Sequence, residues 1–187
     1  MKLFPKDINI INVAGLGGSG REHWQTIWSH LNPTIINLEQ DNWQHPKCKA
    51  WVDRLEEVVK QYNHQPIVLI GHSMAYSTIV HAAQQGKLNG VIGAFMVAPA
   101  DLERKDFPVD VSSFLPTPIF PLPFTSMVVG SENDPYCSIE KAKKYSIHTE
   151  SKFVNVGKKG HLTSSDGIER WEVGEQLFFD FLSLLDY

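Results

Sequence analysis

Short β-branched runs alternate with segments of helical hydrophobic period along almost the whole chain, and few architectures accommodate that alternation. Strands are expected at 8–14, 34–38, 67–70, 91–97, 126–129 and 152–156, each a brief run rich in Ile, Val or Phe. Between them the apolar residues recur at helical spacing. Trp24, Ile27, Trp28 and Leu31 mark a helix near 21–31, and Trp51, Val52, Leu55, Val58, Val59 and Tyr62 one from Pro46 to Tyr62. Further helices are expected at 74–85, 138–146 and 171–185. Parallel strands need long crossovers, and right-handed crossovers dominate. The pattern therefore predicts an α/β fold with a mostly parallel sheet and helices on both faces. Residues 98–123 interrupt it with Pro99, Pro108, Pro116, Pro118, Pro121 and Pro123, and read as an irregular excursion near one end of the sheet.

The 187 residues suit one domain over 1–187, because a chain of this size buries roughly 70% of its unfolded surface. Seventeen Lys and Arg against 21 Asp and Glu give a net charge of −4. Without a basic run, no nucleic-acid partner is expected. No stretch approaches the roughly 18 apolar residues of a membrane span. The opening Met1–Asp7 carries charge too early for a secretory leader, so the expected location is cytoplasmic. Two cysteines, Cys48 and Cys137, are too few for a disulfide framework or a four-ligand zinc site, and the scattered histidines form no H-E-x-x-H pair. Neither metal nor cofactor is expected.

In such sheets chemistry gathers at the carboxyl ends of the strands. After Ile70 comes Gly71-His72-Ser73-Met74-Ala75, which fits a strand, a sharp turn and a helix. A serine at such a turn exposes its Oγ at the sheet edge, and small residues two positions either side let strand and helix approach. Ala75 differs from the commoner glycine by one methyl group. Ser73 alone is also readable as a helix N-cap. A free hydroxyl is a poor nucleophile, however, and needs a base that is itself oriented by a carboxylate. Asp134 and His161 each follow a later strand, and the order Ser, Asp, His is that of the α/β hydrolases. Asp101, after the preceding strand, is an alternative acid.

In this reading His161 takes the Ser73 proton as Oγ attacks a carbonyl, while Asp134 orients and stabilises the imidazole. The backbone N–H groups of Leu16 and Met74 are the candidate oxyanion donors. Only neutral imidazole accepts a proton, so activity is expected to rise with pH as His161 deprotonates. His72, beside Ser73, and Trp43, in the loop after the second strand, are candidate pocket residues. A competing reading starts from Gly15-Leu16-Gly17-Gly18-Ser19-Gly20, which satisfies G-x-G-x-x-G and is followed about 20 residues on by Glu39, as in dinucleotide-binding turns. That reading leaves Ser73, Asp134 and His161 without a joint explanation.

The glycine loop with His23-Trp24-Gln25, Gln40-Asp41-Asn42-Trp43, Val97-Ala98-Pro99-Ala100-Asp101, Asn133-Asp134-Pro135-Tyr136-Cys137 and Gly160-His161 resembles the small serine hydrolases of the retinoblastoma-binding protein 9 and YdeN type. The resemblance spans nearly the whole chain. It implies a compact α/β-hydrolase domain without a separate lid, with Ser73, Asp134 and His161 at the positions of the family triad. The expected substrate is a small carboxylic ester, with amide and thioester served by the same chemistry. A second class, an interaction module with weak or vestigial chemistry on a hydrolase scaffold, also fits the fold. No feature of the chain identifies a protein partner for it.

Overall fold

The computed structural model describes residues 4, 5 and 7–185. The leader reading of Met1–Asp7 falls largely outside them. The strands are β1 (Asn9–Val13), β2 (Ile35–Asn37), β3 (Ile67–His72), β4 (Val91–Val97), β5 (Thr125–Gly130) and β6 (Lys152–Asn155). They form one sheet in the order β2-β1-β3-β4-β5-β6, and every neighbouring pair is parallel. The helices are α1 (Trp24–Leu31), α2 (Cys48–Tyr62), α3 (Ala75–Gln84), α4 (Ile139–His148) and α5 (Glu172–Leu182).

Both faces of the sheet are covered, which explains the near-continuous apolar strands. Successive side chains point to opposite faces. Ile11, Leu69, Ala94, Met96 and Val128 face a core built with α2, α3 and α4. Their neighbours Ile10, Val68, Ile70, Phe95 and Met127 face a second core built with α1 and α5. The second core is aromatic. Phe178 packs its ring against Phe4, Trp28 and Phe95, with centroids 5.3, 5.9 and 5.4 Å away. The α/β architecture expected from the alternation is therefore the one observed.

The differences lie at the helix starts. The α1 helix begins at Trp24 rather than near residue 21, because His23 caps it, Nδ1 accepting the Gln25 N–H at 3.3 Å. The α4 helix likewise begins after Ser138, whose hydroxyl accepts from Lys141 N at 3.2 Å. The segment 98–123 is irregular apart from one 3₁₀ turn, Ser112–Phe114. Among the described residues no helix is long and apolar enough to cross a membrane.

The strand order reverses direction between β1 and β3, and in open parallel sheets the crevice for ligands lies at such a switch point. The loop after β1 holds Gly15–Gly20, and the turn after β3 holds Ser73. The sheet thus sets the two segments side by side.

Phe178 is fully buried among those rings. Phe178→Ala should cost about 3–5 kcal/mol of stability in urea denaturation, far more than Ile147→Ala, whose side chain is 66% exposed.

Candidate active site

Ser73 sits at φ 59°, in the left-handed region that side chains with a Cβ rarely adopt. Backbone hydrogen bonds hold it there. Its N–H donates to Val97 O of β4 at 3.0 Å, and its carbonyl accepts from Tyr76 N at 3.2 Å and Ala100 N at 3.3 Å. Close packing permits the turn. A Cβ on Gly71 would lie 3.0 Å from Ile79 and 3.2 Å from the Ala75 methyl. Alanine is thus accommodated at 75 because glycine stands at 71.

The Ser73 Oγ lies 2.9 Å from His161 Nε2. On the other edge of the imidazole, Nδ1 lies 2.9 Å from each carboxylate oxygen of Asp134. A carboxylate can only accept, so the ring proton belongs on Nδ1 and Nε2 is free to accept from the Ser73 hydroxyl. The Asp134 side chain is only 2% exposed, which shields this hydrogen bond from water. Asp101 is committed elsewhere: its Oδ1 accepts from Glu103 N at 3.1 Å and Tyr145 OH at 3.3 Å, and lies 3.6 Å from Lys141 Nζ. The hydrogen-bonded chain therefore runs through Asp134.

The loop carrying His161 is held at both ends of that residue's peptide groups. Asp166 Oδ2 accepts from His161 N at 3.0 Å, and His72 Nε2 donates to His161 O at 2.8 Å. The indoles add two further anchors: Trp24 Nε1 donates to Leu162 O at 3.0 Å and Trp28 Nε1 to Arg170 O at 2.7 Å. The helical spacing that marks both tryptophans in the sequence agrees with their burial in the core but does not reveal this second role. The available signal was that a buried indole N–H needs an acceptor.

The glycine loop after β1 presses on the serine turn. A Cβ on Gly15 would come within 2.7 Å of Ser73 Cβ, 2.9 Å of His72 O and 3.2 Å of Met74 N. Leu16 lines the same cleft as Ser73. Neither the Leu16 nor the Met74 amide donates to a protein acceptor among the described residues, so two N–H groups remain beside the hydroxyl. This geometry corrects the dinucleotide reading. In that motif the helix opens out of the glycines, whereas α1 starts at Trp24 and the loop packs against Ser73 and Trp43.

Ser73 opens into a cleft of about 310 Å³. His72 lines it, along with Phe107 and Pro108 from the irregular segment, Tyr136, Thr163 and Asp166. Trp43 does not. Its ring covers Gly18 and packs edge-on to Trp51, with centroids 5.7 Å apart, and it faces a separate cavity of about 280 Å³ behind the glycine loop. The Gly17 N–H donates to Trp43 O at 3.1 Å and draws the 39–45 loop toward that side.

With the geometry in view, the comparisons with known proteins agree on the family. The serine hydrolase family matches residues 10–180. The chain belongs to it. A YdeN-like hydrolase of Pectobacterium atrosepticum is 28% identical, with a TM-score of 0.84 over 96% of this chain and 92% of that one. The ydeN gene product of B. subtilis is 16% identical, with a TM-score of 0.69 over 93% and 98% of the two chains. A thermophilic esterase of Thermogutta terrifontis, 15% identical, shares the fold at a TM-score of 0.67 over 93% and 89%. No curated protein gives a significant match. This is a small serine hydrolase of the YdeN type, with the α/β-hydrolase fold.

Burial holds two neighbouring imidazoles neutral. It lowers His23 from 6.5 to about 4, with His161 adding a smaller push, and it lowers His72 well below its ordinary value. The sign for stability follows. Between pH 6.5 and about 4 the unfolded chain binds a proton at residue 23 that the folded chain refuses, so stability is full above 6.5 and falls with pH across that window. The urea midpoint should drop on acidification through this range. In His23→Asn, whose amide oxygen can still cap α1, the drop should be shallower.

Proposed function

We propose that Ser73, His161 and Asp134 are the nucleophile, base and orienting acid of a carboxylesterase-like hydrolase acting on small esters through an acyl-enzyme. The observation that carries this reading is the unbroken hydrogen-bonded chain from Asp134 through His161 to a Ser73 hydroxyl that opens into a cleft. As Oγ attacks the carbonyl carbon, His161 Nε2 takes its proton and Asp134 stabilises the resulting imidazolium. The carbonyl oxygen becomes an oxyanion, for which the Leu16 and Met74 amides, neither of them bonded to a protein acceptor among the described residues, are the proposed donors. The imidazolium then protonates the leaving group, and the Ser73 acyl ester remains. Water, deprotonated by the same Nε2, attacks that ester and releases the acid.

Several features bound the substrate. The cleft volume suits a small molecule, and Phe107 and Pro108 supply apolar wall. The same tetrahedral chemistry extends to thioesters and activated amides.

The first test is fluorophosphonate labelling read by intact mass. One adduct on the native chain and none on Ser73→Ala is the expected result. Absence of any adduct on folded protein would favour the interaction-module reading. Among carboxylates, Asp134→Asn should lower kcat by about 10⁴-fold, because the imidazole loses the partner that fixes its tautomer. Asp101→Asn should stay within a few-fold of the native rate, and a large loss there alone would refute the assignment.

A further inference from the structure

Asp166 caps its own loop at the edge of the Ser73 cleft. One oxygen, Oδ2, accepts from three donors: His161 N at 3.0 Å, Thr163 N at 3.1 Å and Thr163 Oγ1 at 2.8 Å. These bonds fix the position of the carboxylate. The second oxygen accepts no hydrogen bond, and no lysine or arginine pairs with Asp166 among the described residues. The residue is exposed and lines the same cleft as Ser73.

Every other side chain lining that cleft is uncharged or an imidazole. Burial keeps the His23 and His72 imidazoles uncharged at neutral pH. Arg104 lies over the Tyr136 ring at 5.8 Å from its centroid and is taken up by a two-point pair with Asp106 at 2.7 Å. Just behind His161, Asp134 adds a second negative charge. Asp166 is thus the one carboxylate among the side chains lining the cleft, next to aromatic wall from Phe107 and Tyr136. A carboxylate beside aromatic surface is a recognised receptor for substituted ammonium groups.

The side of the cleft follows from the chemistry. The His161 imidazole must hand its proton to the departing atom, so the leaving group lies toward His161, and Asp166 holds that residue's own N–H. We propose that Asp166 selects a substituted ammonium on the leaving-group side of the substrate. This deepens the hydrolase reading above and rests on it for turnover, though not for binding of the cation.

A matched pair of thioesters tests it: acetylthiocholine and its uncharged isostere, 3,3-dimethylbutyl thioacetate. The native protein should favour the charged ester in kcat/KM. Asp166→Asn should lower that preference about fivefold, as expected for a partly exposed charge pair. Damage to the His161 mounting lowers both rates and cancels in the ratio. Added salt should erode the preference in the native protein and leave the variant unmoved. An unchanged ratio in Asp166→Asn, or a native preference for the neutral ester, would overturn the proposal.

Binding gives a readout that does not need turnover. Tetramethylammonium titrated into Ser73→Ala should produce saturable NMR shifts of the amides from Gly160 to Asp166, and these should be lost when Asp166→Asn is added. No saturable shift means that Asp166 is a structural cap and the assignment is wrong. Saturable shifts with neither ester hydrolysed would keep the cation site and count against the hydrolase reading.

Discussion

Ser73 is held at φ 59°, and a left-handed conformation costs a residue with a Cβ roughly 1–2 kcal/mol, so the surrounding structure has to over-determine it. Three elements do so. Val97 at the end of β4 accepts its N–H, Ala100 donates back to its carbonyl, and Gly15 after β1 closes to a distance that leaves no room for a side chain. All three depend on the parallel register that sets Gly71 beside Val13 on one side and Met96 on the other. The same pressure that maintains the turn places the Leu16 loop next to the hydroxyl, so strain at the serine and placement of the amide donors come from one packing arrangement.

The imidazole is mounted differently. His161 lies in a loop between β6 and α5, beside Gly160 at φ 58° and Leu162 at φ 57°. Such a loop holds one geometry only if its peptide groups are tied. His72, Asp166 and the Trp24 indole tie three consecutive positions, and Asn133 Oδ1 accepts from Gly160 N at 2.8 Å, one residue from the acid itself. Asp134 and His161 therefore share a support. A change at Asn133 would disturb both together.

Much of this was legible in the chain, and the reasons are physical. Strands buried on both faces must be continuously apolar and short, so the alternation revealed the sheet. A serine nucleophile requires a base and an acid, so chemical need linked Ser73, Asp134 and His161 across 88 residues before any distance was known. Contacts without such a need stayed hidden. The His72 bond to His161 O spans 89 residues between a ring and a main-chain carbonyl, and no pattern of residue types encodes it. Trp43 was misread because loop order gives the end of the sheet but not the direction a ring takes. One bond from Gly17 to the Trp43 carbonyl turns that loop behind the glycines. Asp134 and Asp101 both follow strands, and they are separated by the bonds of Asp134 to His161 and the pairing of Asp101 with Tyr145 and Lys141.

The row of imidazoles explains why burial matters to the chemistry. His23 and His72 have centroids 4.7 Å apart, and His72 and His161 are 4.8 Å apart. If all three carried protons, the repulsion inside a poorly solvated wall would be severe. Burial keeps two of them neutral with one N–H each, and their nitrogens serve structure, one accepting as a helix cap and one donating to the His161 carbonyl. The third has Asp134 against its Nδ1. In the reaction proposed for this site, His161 is thus the one ring in the row whose positive charge would meet a partner when Ser73 releases its proton.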